Sequence, residues 1–373
     1  MARIEEVISE YSVRNRLNED IPVYSVTNEK GFCTGYFSKE VASKDKSTYK
    51  IVPKGYFAYN PSRINVGSVD WQRYEDRVIV SPLYVVFGVS EQLAQQYLFH
   101  YLKSDMMLAH IKEYATGSVR DNLKLSDLGK FPINLRSIDE QHKIVAVLDK
   151  VNDLINKRRQ QLDKLDELVK SQFIEMFGDP TDNPMEWDKF PLGKRCNIIT
   201  GNTPPRADAE NYGTFIEWIK SDNINTPDTY LTTAEEYLSE KGFEKCRYVE
   251  AGSVLMTCIA GSIGCIGNVA VADRRVAFNQ QINAIVPVDD ETLYVFWLMQ
   301  LSRPYIQSTI NMALKGILSK GQLSILEFPF PPLPKQIDFA TFVTQTNKSK
   351  SAIQKSLKKL ETLKKSLMQE YFG

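Results

Sequence analysis

Apolar residues recur at helical spacing over two long stretches of this 373-residue chain. In the first, Glu140–Gly178, an a/d/e stripe runs through Ile144, Val147, Leu148, Val151, Leu154, Ile155, Leu162, Leu165, Leu168, Val169, Phe173 and Met176, broken by Arg158 and Gln161. Ser137-Ile138-Asp139-Glu140 is a capping box at its start, Gly178 is a left-handed stop and Pro180 blocks continuation. No Pro or Gly lies inside the run. The second stretch, Lys335–Gly373, follows Pro329-Phe330-Pro331-Pro332-Leu333-Pro334 and repeats the first at an offset of 195 residues without a gap. Gln141 falls on Gln336, Ile144 on Phe339, Leu148 on Val343, Leu162 on Leu357 and Phe177-Gly178 on Phe372-Gly373. Each stretch predicts a rod of roughly 55 Å at 1.5 Å per residue. An apolar stripe on each rod requires a partner, and the simplest partner is the other rod.

The repeat extends beyond the rods. At an offset of 197, Val52 falls on Val249, Gly55 on Gly252, Gly67 on Gly264, Tyr97 on Tyr294 and Phe131-Pro132 on Phe328-Pro329. Short apolar runs such as Phe57-Ala58-Tyr59 and Val254-Leu255-Met256 read as buried strands, and Gln92–Ile111 has helical periodicity. The chain is therefore one unit of about 195 residues written twice, a period too long for a solenoid. The expected fold is α+β: two tandem α+β domains joined by two long antiparallel coiled-coil helices, with pseudo-twofold symmetry. The segments are residues 1–136, 137–178, 179–334 and 335–373. One difference stands out: Trp187–Asn197 precedes the second half and has no counterpart upstream of the first.

Charge sharpens this picture. Lys plus Arg and Asp plus Glu both number 46, so the formal net charge is zero. The four segments carry +2, −1, −6 and +5 in turn. Such balance argues against a protein that coats nucleic acid by charge alone, and permits local gripping clusters beside acidic surface. Five cysteines without CxxC spacing, no apolar run of membrane length and no signal-peptide core point to a cytoplasmic location. Three histidines and scattered cysteines give no metal-ligand spacing.

Between the copies the apolar scaffold is kept while polar loops differ: Arg63-Ile64-Asn65 opposes Ala260-Gly261-Ser262, and Ser81-Pro82-Leu83 opposes Phe278-Asn279-Gln280. The order of domain, helix, domain, helix resembles the DNA-specificity subunit of Type I restriction–modification systems over the whole length. The residues that carry the resemblance are the approaches Phe131-Pro132 … Glu140-Gln141 and Phe328–Gln336, together with Gly201-Asn202-Thr203-Pro204, Trp218–Ile224, Phe278-Asn279-Gln280-Gln281 and the two Phe-Gly endings. The resemblance implies two target-recognition domains, each reading half of a split, asymmetric site on double-stranded DNA. It implies helical spacers that fix the gap. It also implies modification subunits carrying S-adenosylmethionine, and restriction subunits, assembling on the chain. Bases are distinguished in the major groove mainly by Arg or Lys on guanine and Asn or Gln on adenine. The DNA-facing candidates are accordingly Arg63, Asn65, Ser68, Arg120 and Asn122 in the first half, and Lys220, Asn223, Asn279, Gln280, Gln281 and Lys320 in the second. Each is also a residue type of ordinary solvated or turn positions.

Catalysis is expected in partners rather than in this chain. Asn60-Pro61-Ser62-Arg63 lacks the second Pro and the aromatic of a methyltransferase adenine pocket, and no Walker A Gly-Lys-Ser/Thr occurs. The rival reading is a coiled-coil scaffold joining two protein-binding domains with no role on DNA.

Overall fold

The computed structural model of the chain describes residues 2–35, 45–115, 122–310 and 316–373. The two periodic stretches form continuous helices of 40 residues each, Ile138–Phe177 and Leu333–Phe372. Ser137 and Glu140 close the first as a capping box: the Ser137 N–H donates to the Glu140 carboxylate (3.1 Å) and the Glu140 N–H to Ser137 Oγ (3.4 Å). Gly178, at φ 78°, ends that helix and donates to the Ile174 carbonyl (2.8 Å).

The chain divides into two compact units, Met1–Arg159 with Lys355–Gly373, and Gln160–Gln354. Each unit therefore combines one globular half with part of both long helices. In the first unit Ile144, Leu148 and Phe372 share a core with Tyr97 and Tyr101. The Phe372 ring lies 5.1 Å from Tyr97 and 5.6 Å from Tyr101, and Arg159 pairs with Glu361 at 2.8 Å. These contacts set the start of one helix against the end of the other, so the two segments run antiparallel. In the second unit Phe173, Phe177, Phe339 and Tyr294 form an aromatic cluster with centroids 5.0–5.6 Å apart. Lys350 meets Asp166 at 2.5 Å, and this pair of segments is antiparallel too.

Both units carry the same antiparallel four-stranded sheet. Its order is Ile8–Glu10, Val85–Val89, Phe57–Tyr59, Val69–Trp71 in the first, and Cys196–Thr200, Ile282–Pro287, Ser253–Thr257, Val269–Ala272 in the second. A second pairing also repeats. Val23 bridges Ile79 in parallel, as Ile219 pairs with Phe278, while Lys50–Pro53 and Tyr248–Val249 run antiparallel to the same strands.

Several expected correspondences are corrected. Ser81 lies opposite Asn279 rather than Phe278, each carbonyl accepting the N–H three residues on (3.0 and 3.2 Å). Lys189–Pro191 does have a counterpart: Ala2–Arg3 pairs with Pro132–Ile133 as Lys189–Pro191 pairs with Glu327–Pro329. Ile4 and Leu192, both fully buried, then donate to the carbonyls of Phe131 and Leu326. The offset there is 188 rather than 195–197, because loop lengths differ, and this hid the match. Gly67 corresponds to Gly267, not Gly264, since these two hold φ of 85° and 84° immediately before equivalent strands. Phe131 is not the equivalent of Phe328. The Tyr97 hydroxyl donates to the Asn134 carbonyl (2.9 Å) and the Tyr294 hydroxyl to that of Pro329 (2.8 Å), which sets Ile133 opposite Phe328.

Candidate nucleic-acid interface

In the first unit three turns converge on one face. The hairpin of Ser25–Thr27 and Gly31–Cys33 projects Asn28, Glu29 and Lys30 from its tip. Its anchor is Asp70, a fully buried carboxylate that accepts from the Phe32 N–H (3.0 Å) and pairs with Arg73 (3.1 Å). Gly31 permits this approach, because a Cβ there would lie 1.9 Å from Asp70 Oδ2. Lys103 holds the tip by donating to the Asn28 carbonyl (2.9 Å), and burial lowers its pKa. The second turn is Asn60–Arg63, closed by the Arg63 N–H on the Asn60 carbonyl (3.0 Å), and leading into the short 3-10 helix Ile64–Val66. The third is Ser81–Tyr84. Between them lies a cleft of about 520 Å³ lined by Thr27, Asn28, Asn60, Arg63 and Tyr84. Asn60 also lines an adjoining depression of about 850 Å³ with Asn122 and Lys124.

Arg63 is exposed at this cleft, and Asn122 is exposed beside the depression. Asn65 is half-buried in the 3-10 helix. Ser68 lines the cleft floor but is 4% exposed, so it shapes the surface more than it presents a hydroxyl. Arg120 lies outside the described residues.

In the second unit the candidates separate into two kinds. Asn223 is buried and spends its amide on Thr232 Oγ1 (3.2 Å) and the Thr233 carbonyl (3.1 Å), while its Oδ1 accepts the Lys220 N–H (3.0 Å). It is a turn cap, not a free reader. Lys220 is committed to Glu236, which Arg206 also meets at 3.0 Å. Arg206 lies over Tyr212 and Trp218 at 4.9 and 5.0 Å. The Lys220 hydrogen bond holds the Glu236 carboxyl below the usual carboxylate range, against the upward push of burial. Asn279 is buried at 7% exposure and accepts the Gln281 N–H (3.0 Å), closing the turn from within. These three placements have one cause: Asn and Lys satisfy local turns and carboxylates as readily as bases.

Gln280 is exposed, and its carbonyl accepts the Thr203 hydroxyl. Gln281 is half-buried, its main-chain carbonyl accepting the N–H of Cys258 (2.8 Å). Lys320 is exposed at the start of the helix Lys320–Ile325, which Ser319 and Gln322 cap. The loop that carries Thr203 is fixed on both sides. Gly201 sits where a Cβ would meet the Asn279 carbonyl at 2.2 Å, and Asn202 bonds the Lys245 carbonyl and the Arg247 N–H, each at 2.8 Å. Residues that the sequence did not single out are Asn28 and Lys30 in the first unit and, among the DNA-facing candidates, Thr203 in the second. Only Thr203 carried a signal, its place in the Gly201–Pro204 motif.

Comparison with known proteins follows the same two-part layout. Residues 7–164 and 184–365 match the family described as Type I restriction modification DNA specificity domain. The Type I restriction enzyme HindI specificity subunit of Haemophilus influenzae is 29% identical over 144 residues, 38% of this chain and 29% of that protein. The Type I restriction enzyme MjaIX specificity subunit of Methanocaldococcus jannaschii is 27% identical over 167 residues, 43% of this chain and 38% of that protein. The matches thus span well under half the length of these relatives. A chain solved in work on complex assembly and conformational transition of the type I R-M system has a TM-score of 0.61 at 18% identity, covering 99% of this chain and 96% of its own. The S subunit of a Type I restriction–modification system from M. genitalium has a TM-score of 0.57 at 14% identity, covering 100% and 95%. These two likenesses concern the fold.

Proposed function

Since this chain belongs to the Type I restriction modification DNA specificity family, we propose that it is the sequence-reading subunit of a Type I restriction–modification complex. Each globular half reads one part of a bipartite, asymmetric site on duplex DNA. The long helices set the number of base pairs between the parts. Modification subunits carrying S-adenosylmethionine and restriction subunits dock on the chain and supply the chemistry. The observation that carries this reading is the duplication itself: one scaffold built twice, with Arg63 and Asn28 at the polar face of one copy, and Gln280 and Thr203 at that of the other. Rigid scaffolds that present differing loops suit two different short targets.

The non-catalytic role is supported by how Asn60–Arg63 is used. The Asn60 side-chain carbonyl accepts the Ser62 N–H (3.1 Å) and hydroxyl (2.9 Å), so the segment that comes nearest to an adenine-pocket motif is spent on its own turn. Chain purified alone and supplied with S-adenosylmethionine should not methylate DNA, and turnover would overturn that assignment. The main test mixes the chain with its modification subunit and selects from random duplexes. Enrichment of a two-part sequence is expected, whereas a protein-binding scaffold gives no gain in selectivity. Arg63→Ala and Gln280→Ala should each relax a different half of that sequence. Equal weakening on every duplex would make both residues phosphate contacts instead.

A further inference from the structure

We propose that one four-residue turn, present in both units, is a shared base-reading element in which Leu83 reads a thymine methyl group and Gln280 an adenine. This rests on the DNA-reading function proposed above. The turns are Ser81–Tyr84 and Asn279–Ile282. Each follows equivalent strands, Arg77–Val80 and Val276–Phe278, and leads into the second strand of the four-stranded sheet. Each is closed by the same backbone bond, Tyr84 N–H to the Ser81 carbonyl (3.0 Å) and Ile282 N–H to the Asn279 carbonyl (3.2 Å). Positions 82 and 83 therefore correspond to 280 and 281, and the two copies differ in chemistry at the tip: Pro-Leu in one, Gln-Gln in the other.

Leu83 is 78% exposed, while Val86 and Phe87 just beyond it are buried. The turn that presents it is held firmly. Pro82 restricts the backbone, the Tyr84 carbonyl accepts Lys50 Nζ (2.7 Å), and the Tyr84 hydroxyl accepts the Val26 N–H (3.3 Å). So Leu83 contributes nothing to the core, and it shares its depression with the apolar Pro61, Val85 and Leu125 as well as with Glu10, Asn122 and Lys124. An exposed apolar tip matches the thymine C5-methyl, the one apolar group that base edges display in the major groove. At the equivalent tip, the Thr203 hydroxyl takes one lone pair of Gln280 Oε1 and fixes which way the amide faces. That leaves an N–H donor beside a remaining lone pair, the complement of adenine N7 and N6–H.

The test is duplex selection by the full chain assembled with its modification subunits, comparing wild type with Leu83→Gln and Gln280→Leu. Leu83→Gln should cut the preference for thymine roughly five- to tenfold at one base pair of one half-site, leaving the other half unchanged. Gln280→Leu should do the same for adenine in the opposite half. Melting curves should not move, because both side chains are exposed. Should Leu83→Gln lose its fold, Leu83→Ala gives the same readout. A folded Leu83 variant with wild-type selectivity overturns the assignment. A folded variant that no longer assembles also overturns it, making Leu83 a protein contact. If the wild-type complex selects no two-part sequence, the underlying function fails and this assignment with it.

Discussion

Gln141 and Gln336 are fully buried amides that perform one task twice. Gln141 accepts the Ala94 N–H (2.8 Å) and donates to the carbonyls of Gln92 (2.8 Å) and Arg136 (2.9 Å). Gln336 accepts the Glu291 N–H (2.9 Å) and donates to Asp290 (2.8 Å) and the Pro331 carbonyl (2.8 Å). Each ties the start of a long helix to the helix that opens at Gln95 or Thr292. Gln141→Ala would strand a buried N–H and two carbonyls, so a loss of about 2–4 kcal/mol is expected in urea unfolding. The sequence showed that these glutamines repeat but not what they hold, since all their partners but Arg136 and Pro331 lie 45–49 residues away. Asn223 failed in the opposite sense, as its residue type suits a base or a turn and only the fold chooses the turn.

Acid sensitivity also belongs at this scale. Arg274 donates to Glu217 (2.9 Å) and lowers its pKa, with the Ala234 N–H (2.9 Å) assisting and burial opposing. A carboxylate depressed by folding contributes stability above its unfolded value of 4.5, and that contribution fades as pH falls through 4.5 and then through the folded value. Glu217→Gln should therefore cost about 1–2 kcal/mol at pH 7 and flatten the fall in stability between pH 5 and 3. Parallel pH profiles for mutant and wild type would contradict it.

Elements were legible where periodicity was long and hidden where it was short. The spacing of Ile144, Leu148 and Val151 located the first long helix to within two residues. Strands of two to five residues, such as Ala2–Arg3, carry too little pattern to align, and unequal loops moved the offset between copies from 188 to 200. Nor could the sequence say that the first compact unit takes in the end of the second long helix, Lys355–Gly373, from the far end of the chain. That borrowing makes a prediction. Phe372 closes the core of the first unit and Phe339 that of the second. Removing residues 333–373 should therefore unfold both units, not only the later one, by hydrogen exchange or proteolysis. Phe372→Ala alone should cost about 3–5 kcal/mol in the first unit. The exposed Arg159–Glu361 pair, by contrast, should be worth less than about 1 kcal/mol.

At the scale of the whole molecule the proposal turns protein length into DNA length. A helix rises 1.5 Å per residue and a duplex 3.4 Å per base pair. Inserting four residues into both long helices, near Arg158 and Gln354, should lengthen the gap between half-sites by about two base pairs while leaving both half-site sequences intact. A gap that stays fixed would show that the helices do not set it. The most direct measurement is a methylome map of the host with and without this chain. The account predicts that one motif vanishes with the chain: two different short sequences, separated by a fixed run of unread bases. No change in methylation, or loss of a single unbroken motif, would contradict it.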